Sequence, residues 1–348
     1  MRKYLYNLAT DKEKGFFASL VKPWLLLASF IYGALIRGLA LLFSLKASRL
    51  NCKVISIGNI TLGGTGKTSL VEFISRYLRD KGHKLAVLSR GYKKLSGAMG
   101  DEPSMLLKHL GDIPVIVDKD RVRAAKRAIA EYGADTVILD DGLQQWRINK
   151  DLEIVTVSAS QGLGNRHMLP RGILREPLSA LKRADIFVLT RTGFNGDLQA
   201  IRAALNKINP ASPIVESVHT ALGFYAFNKP EELLRPDYLK GKRVALFSGI
   251  GEPEAFSGLI RGLGVNIGLD LRFSDHHNYS EEDLSGICAK TSRAGLGIIV
   301  TTAKDASRLS DADLEMFGEH KLLVLRIALK ITKNEDELLA RLLSLYTL

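Results

Sequence analysis

The run Gly63-Gly64-Thr65-Gly66-Lys67-Thr68 joins flexible glycines to a lysine and a hydroxyl residue. That combination suits the polyphosphate of a nucleoside triphosphate. Glycines let backbone N–H groups approach phosphate oxygens, a following helix N-terminus adds positive potential, the lysine reaches the β and γ phosphates, and the hydroxyl can hold Mg2+. The usual pattern opens with a glycine five positions before its second one, and here Thr61 stands in its place. The loop is read as binding nucleotide from Thr61 and Leu62 through Gly63, Gly64, Thr65, Gly66, Lys67 and Thr68 to Ser69. An ordinary glycine turn is the alternative. Farther along, Thr136-Val137-Ile138-Leu139 ends in Asp140-Asp141. A carboxylate at the end of an apolar strand is what a second metal-side element needs, so Mg2+ is implied with Thr68, Asp140 and Asp141 around it.

These residues need a scaffold. Val54 to Gly58 is a short β-rich run before the loop, and Leu70, Phe73, Ile74 and Leu78 recur at helical spacing after it, giving strand, loop, helix. Further strands are predicted at 85–88, 113–117, 136–139, 152–157 and 186–190, with a helix over 121–132. The alternation argues an α/β, P-loop NTPase-type, mainly parallel doubly wound sheet. A second series at 243–247, 297–300 and 321–327 predicts a smaller α/β domain. The polar stretch 228–242, with Pro230 and Pro236, reads as the connector. The expected organisation is an N-terminal membrane-associated helical region over 1–50, a kinase-type P-loop domain over 51–228 and a C-terminal domain over 229–348, whose last helix can return to the first domain.

From Phe16 to Leu45 the chain is dominated by apolar residues. Pro23 suits a first helical turn. Lys22 and Arg37 leave an uninterrupted stretch shorter than the roughly 20 residues that span a bilayer, so a monotopic anchor is expected, with Trp24, Phe30 and Tyr32 at the interface and Arg37 snorkelling. The apolar region starts late and lacks a small-residue cleavage site, so it reads as retained. A helix buried in the core is the alternative.

The 348 residues favour two domains. With 46% hydrophobic and 25% charged residues, the composition is globular. Lys and Arg total 49 against 37 Asp and Glu, a net charge of +12 that attracts anionic partners. No recognition helix, aromatic–basic RNA motif or zinc-finger spacing accompanies it, so nucleic acid is not expected as a partner. Cys52 and Cys288 are far apart in sequence and read as small buried hydrophobes in a reducing compartment.

Several segments together resemble the tetraacyldisaccharide 4'-kinase family of lipid A assembly: Gly58-Asn59, Ser89-Arg90-Gly91-Tyr92, Gly100-Asp101-Glu102-Pro103, Asp140-Asp141-Gly142-Leu143-Gln144, Leu169-Pro170-Arg171-Gly172, Leu174-Arg175-Glu176-Pro177 and Asp275-His276-His277. The likeness runs from the apolar N-terminus to about Asp305. It implies transfer of the ATP γ-phosphate to the 4'-hydroxyl of an acylated disaccharide 1-phosphate, by a monomer at the cytoplasmic face of the inner membrane. Two departures stand out: the connection from Tyr92 to Gly100 is shorter than usual, and Arg171 and Ile173 replace smaller or proline residues.

By residue type, Asp101 at the carboxyl edge of the sheet is either a general base or a helix N-cap; the resemblance favours the base. His276 can pair with Asp101 to tune it, and the alternatives are a helix-start turn or a metal site with Asp275 and His277. The resemblance further implies Arg121 and Arg175 as neutralisers of phosphate charge, Glu102 and Glu176 as aids to the metal or to the arginines, and Gln144 as a nucleotide or substrate contact. Lys67 completes the catalytic set. A membrane-associated partitioning-type ATPase is the competing reading, against which Leu62 stands where such proteins carry a signature lysine. Thr302-Ala303-Lys304-Asp305 resembles a guanine-reading motif only loosely.

Overall fold

The computed structural model describes residues 2–90, 100–193 and 196–347. The chain forms two units. One comprises, among the described residues, 2–90, 109–218 and 330–347; the other comprises 100–108 and 219–329.

The first unit opens with α1 (Arg2–Ala9) and α2 (Phe16–Ser44). Pro23 lies inside α2 rather than in its first turn. Lys22, expected to interrupt the apolar stretch, is turned aside onto Asp11 at 2.8 Å and the Glu13 carbonyl at 3.2 Å. At 29 residues α2 is long and apolar enough to cross a membrane by length and composition, and only 11% of its most apolar window is buried. That exposure removes the core-helix alternative: Trp24 is 72% and Phe30 68% exposed. Tyr32, expected at the interface, instead belongs to a docked stripe. Ser29 Oγ donates to the Met168 carbonyl at 2.8 Å, and Tyr32 Oη donates to the Arg175 carbonyl at 3.2 Å. Residues 29 and 32 share a face at helical spacing, so one side of α2 is fastened and the other is left apolar and uncovered.

Then follow β1 (Lys53–Gly58), α3 (Lys67–Asp80), β2 (Leu85–Ser89), α4 (Asp101–Leu110), β3 (Val115–Val117), α5 (Arg121–Tyr132), β4 (Thr136–Asp140), β5 (Leu152–Ser158), β6 (Ile186–Thr190), α6 (Leu198–Ile208) and β7 (Ile214–Ala226). The strand order of this unit is β7-β6-β5-β1-β4-β2-β3, and its pairings are parallel. Alternate strand residues Val54, Leu88, Val137 and Leu139 pack with Ala124, Ala125 and Ala128 of α5. Small residues there let the helix lie close. Val155, Val157, Phe187 and Leu189 build a second cluster with Leu205 of α6. Asp120 caps α5 by accepting from Val122 and Arg123 N–H, and Gly133, at φ 60°, ends it.

The second unit adds β8 (Lys229–Leu234), β9 (Arg243–Ser248), α7 (Pro253–Gly262), β10 (Asn266–Arg272), α8 (Glu281–Arg293), β11 (Ile298–Thr302), α9 (Ala303–Ala306), α10 (Asp311–Glu315) and β12 (Lys321–Lys333). Its order is β10-β9-β11-β12-β7, with β8 antiparallel to β7. The stretch expected as a connector therefore contains a strand, because Phe224 and Leu234 pair across the β7–β8 turn. The same pairing draws residues 219–228 into the second unit, earlier than the expected boundary at 228. The last helix, α11 (Glu335–Ser344), returns to the first unit. There Tyr346 stacks on His83, ring centres 3.6 Å apart, and its hydroxyl lies 2.7 Å from Thr136 Oγ1.

Candidate nucleotide site

The loop between β1 and α3 is held from three sides within the first unit. Below it, Thr65 Oγ1 meets Thr156 Oγ1 of β5 at 2.7 Å, and Thr156 donates to the Gly58 carbonyl at 3.2 Å. Beside it, Thr190 Oγ1 at the end of β6 donates to the Thr65 carbonyl at 2.9 Å, and Arg191 donates to the Gly64 carbonyl at 2.9 Å. On the third side, Leu62 N–H donates to the Ile173 carbonyl and Arg175 N–H to the Ile60 carbonyl, both at 2.7 Å. Leu62 N–H is thereby taken up by protein, so the cradle proper begins at Gly63. Glycine is required at two places: Gly63 has φ 108° and Gly66 φ 77°, and a Cβ on Gly66 would stand 3.3 Å from the Thr190 methyl. Thr61 is buried, with its carbonyl accepting from Asn59 Nδ2 at 2.8 Å.

Over this loop lies a charge network. Lys67 Nζ is 3.0 Å from Asn59 Oδ1 and 3.4 Å from Asp141 Oδ1. Arg175 grips both Asp141 oxygens, at 2.9 and 2.7 Å, and also donates to the Asn59 carbonyl at 2.9 Å. Asp141 stands in the left-handed region at φ 57°, which an aspartate tolerates. Burial by itself would raise the Asp141 pKa, but the Arg175 hydrogen bond and the Lys67 charge override it and hold the carboxyl well below its ordinary value. Asp140, one residue earlier, is buried, with Ser89 Oγ 3.4 Å from its Oδ2. Gln144 donates to the Asn59 carbonyl at 3.2 Å and to Glu176 at 3.0 Å. Glu176 is 1% exposed and accepts from Arg183 at 2.8 and 3.0 Å. Its oxygens face cationic and amide donors, which makes it a strut for Gln144 instead of a ligand beside Thr68.

The predicted residues Lys67, Asp141, Arg175, Gln144 and Glu176 thus share one hydrogen-bonded cluster. Arg121, at the start of α5, joins it through charge and not through a hydrogen bond: it is 2% exposed, its Nη1 donates to the Asp118 carbonyl, and Asp140 and Asp141 both act on it electrostatically. Burial lowers the Arg121 pKa, against the raising influence of Asp140. The side chains of Asp101 and Glu102, and residues Gly91 and Tyr92, lie outside the described residues. The helix itself starts at Asp101. In the second unit His276, at φ 60°, has Lys304 Nζ 3.3 Å from its Nε2 and Asp275 at 3.9 Å, whereas His277 turns to Asp283 at 2.8 Å. The two histidines take different partners, and among the described residues no three His, Cys, Asp or Glu side chains gather as a metal set. Asp305 of the loosely guanine-like run is fully buried and engaged by Tyr279, Arg308 and Gly249 N–H, which leaves it unable to read a base.

Sequence reasoning passed over the roles of Asn59, Thr156, Thr190, Arg183 and Arg191. A usable signal existed for Thr156 and Thr190: a hydroxyl within or ending an otherwise apolar buried strand needs a partner.

The fold and this loop define a P-loop nucleotide-binding protein. A family profile described as tetraacyldisaccharide-1-P 4'-kinase matches residues 21–346. A tetraacyldisaccharide 4'-kinase of Halothermothrix orenii is 31% identical over 377 residues, covering 99% of this chain and 98% of the relative. One from Syntrophus aciditrophicus is 37% identical over 294 residues, covering 76% of this chain and 77% of the relative. The crystal structure of LpxK from Aquifex aeolicus in complex with ATP superposes with TM-score 0.71 at 26% identity, covering 94% of this chain and 100% of that one. The chain belongs to the tetraacyldisaccharide 4'-kinase family.

Proposed function

We propose that this chain transfers the γ-phosphate of ATP to the 4'-hydroxyl of an acylated disaccharide 1-phosphate, working as a monomer at the cytoplasmic face of the inner membrane. The observation that carries the reading is the Lys67–Asp141–Arg175–Asn59 network closed over a glycine loop that β5, β6 and the 173–175 segment hold in place. Phosphoryl transfer asks mainly for positioning and charge neutralisation, and this arrangement supplies both. Lys67 and the N-terminus of α3 draw the β and γ phosphates into the loop. Asp141 holds Lys67 and Arg175 aimed by ion pairing, and Arg175 follows charge toward the γ-phosphate.

The donors fit Mg2+. Thr68 and Asp140 offer hard oxygens at adjacent element ends, and this ion keeps waters and phosphate oxygens for its remaining positions. Held by Thr68 and Asp140, it would supply positive charge to offset that of the phosphates. Asp101 is assigned the acceptor hydroxyl's proton, and His276 the tuning of Asp101. The uncovered face of α2, with Trp24 and Phe30 outward, is assigned to the membrane surface, where a lipid acceptor resides.

The test incubates purified protein with labelled ATP, Mg2+ and acylated disaccharide 1-phosphate, and repeats it with Asp101→Ala. Transfer should fall by about 10²- to 10⁴-fold in the variant with nucleotide affinity retained. Equal activity would reject Asp101 as base, and a wild-type protein that binds ATP without phosphorylating the lipid would reject the reading as a whole.

A further inference from the structure

Beyond the end of β4, the first unit buries an ion pair that phosphate transfer does not itself use. Lys150, just before β5, and Glu153, within it, have side chains only 11% and 6% exposed, and the lysine ammonium donates to the Glu153 carboxylate. Such a pair is a poor way to gain stability: taking two charges out of water offsets most of their attraction, and apolar side chains of similar volume do as well. Burial pushes the Lys150 pKa down and the Glu153 pKa up, against the pull of each on the other. Stability alone does not account for it.

The ammonium has two further partners, both main-chain carbonyls of the turn after β4: Gly142 at 2.7 Å and Leu143 at 3.2 Å. Its three hydrogens thus meet three acceptors, which leaves none for a substrate. The turn it grips bears Asp141, which pairs with Lys67 and Arg175, and Gln144, which donates to the Asn59 carbonyl. Gly142 N–H donates to the Ile57 carbonyl of β1 at 3.0 Å. The peptide groups on either side of Gly142 are therefore both fixed, the first by β1 and the second by Lys150, directly after the left-handed Asp141.

We propose that Lys150 and Glu153 are positioning residues for the transfer reaction: Lys150 clamps the Gly142 and Leu143 carbonyls, Glu153 holds Lys150 in place, and the clamp keeps Asp141 aimed at Lys67 and Arg175. This deepens the kinase reading above and rests on it.

The experiment measures transfer to the acylated disaccharide 1-phosphate by wild type, by Lys150→Arg, by the double variant Lys150→Met/Glu153→Leu, and by Asp141→Asn with and without that double change, together with the thermal midpoint of each. The double variant exchanges both charges for apolar side chains and should unfold near the wild-type midpoint. Its kcat should nonetheless fall about ten- to a hundredfold with the lipid KM within about twofold, because a turn free to shift misplaces its carboxylate. Lys150→Arg keeps a cation with N–H donors for the carbonyls and should retain kcat within about threefold. In the Asp141→Asn background the double change should add almost no further loss, since the pair acts through that carboxylate. A double variant with wild-type kcat, one that does not fold, an arginine variant as slow as the double one, or an equal penalty in the Asp141→Asn background would each overturn the proposal. A wild-type protein that binds ATP yet transfers nothing to the lipid would instead sink the kinase reading, so the two failures are separable.

Discussion

The two units each build a carboxylate–guanidinium pair, and they treat it in opposite ways. In the first, Arg175 and Asp141 keep side-chain exposures of 21% and 33%, and Lys67 joins them. In the second, Asp305 and Arg308 are both at 0%; Asp305 Oδ1 accepts from Gly249 N–H and Tyr279 Oη, each at 2.9 Å, while Arg308 donates to the Gly249 carbonyl at 2.8 Å. That same carbonyl accepts from His276 N–H at 3.1 Å. The sealed pair is a fastening that shapes the turn bearing His276. The open pair leaves its cations reachable by a ligand's phosphates. Exposure, more than the identity of the ions, separates a charge that holds a fold from one that meets substrate.

Substitutions can break that distinction. The largest effect is expected in the sealed pair: Asp305→Ala strands a buried guanidinium and should lower the unfolding free energy by about 3–5 kcal/mol in urea titration. A loss under about 1 kcal/mol would show that water reaches Arg308 and that the contrast is false. In the open pair, Lys67→Ala should leave the fold intact yet cut phosphate transfer on the order of 10²- to 10³-fold, as removal of a phosphate-facing donor does. A comparable fall in stability would make Lys67 a fastening too. Arg175→Lys keeps the charge and loses the fork across Asp141 and Asn59, so kcat should drop roughly tenfold; full activity would mean the fork is dispensable.

Smaller effects sharpen the picture. Tyr346→Phe keeps the stack on His83 and removes only the hydroxyl facing Thr136, so the urea midpoint should shift by the equivalent of about 1 kcal/mol. No shift would show that the C-terminal docking is held by the ring alone. Least of all should change with mild acid. Asp141 titrates below its ordinary value in the folded protein, so its stabilising contribution is complete above the unfolded-state pKa of about 3.9 and fades only as pH falls through the lower folded-state value. Nucleotide affinity measured by fluorescence should carry no inflection from this group between about pH 5 and 8; an inflection abolished by Asp141→Asn would contradict the pairing.

Local signals made the nucleotide loop legible: glycine spacing, a strand before it and a helical period after it are properties of adjacent residues. The same holds for the Asp140-Asp141 strand end and for the apolar length of α2. Other features were illegible for a common reason. β8 falls in a polar, proline-bearing stretch whose strand character comes from pairing with β7, and β-pairing is set by the partner. Asn59, Thr156 and Thr190 acquire their roles from residues up to 125 positions away, which no sequence window contains.

Sequence by itself determined that this chain would carry a triphosphate loop, a doubly wound sheet and an apolar helix, because chain-local glycine conformations, hydrophobic periods and helix length need no partner to be read. Tertiary structure alone decided which charges are spent and which are open: that Glu176 is taken by Arg183 and Gln144, that Tyr32 donates to the Arg175 carbonyl instead of facing lipid, and that Arg121 is buried with two nitrogens unmet. Burial and hydrogen-bond satisfaction belong to assembled neighbours, and a one-dimensional string does not contain them.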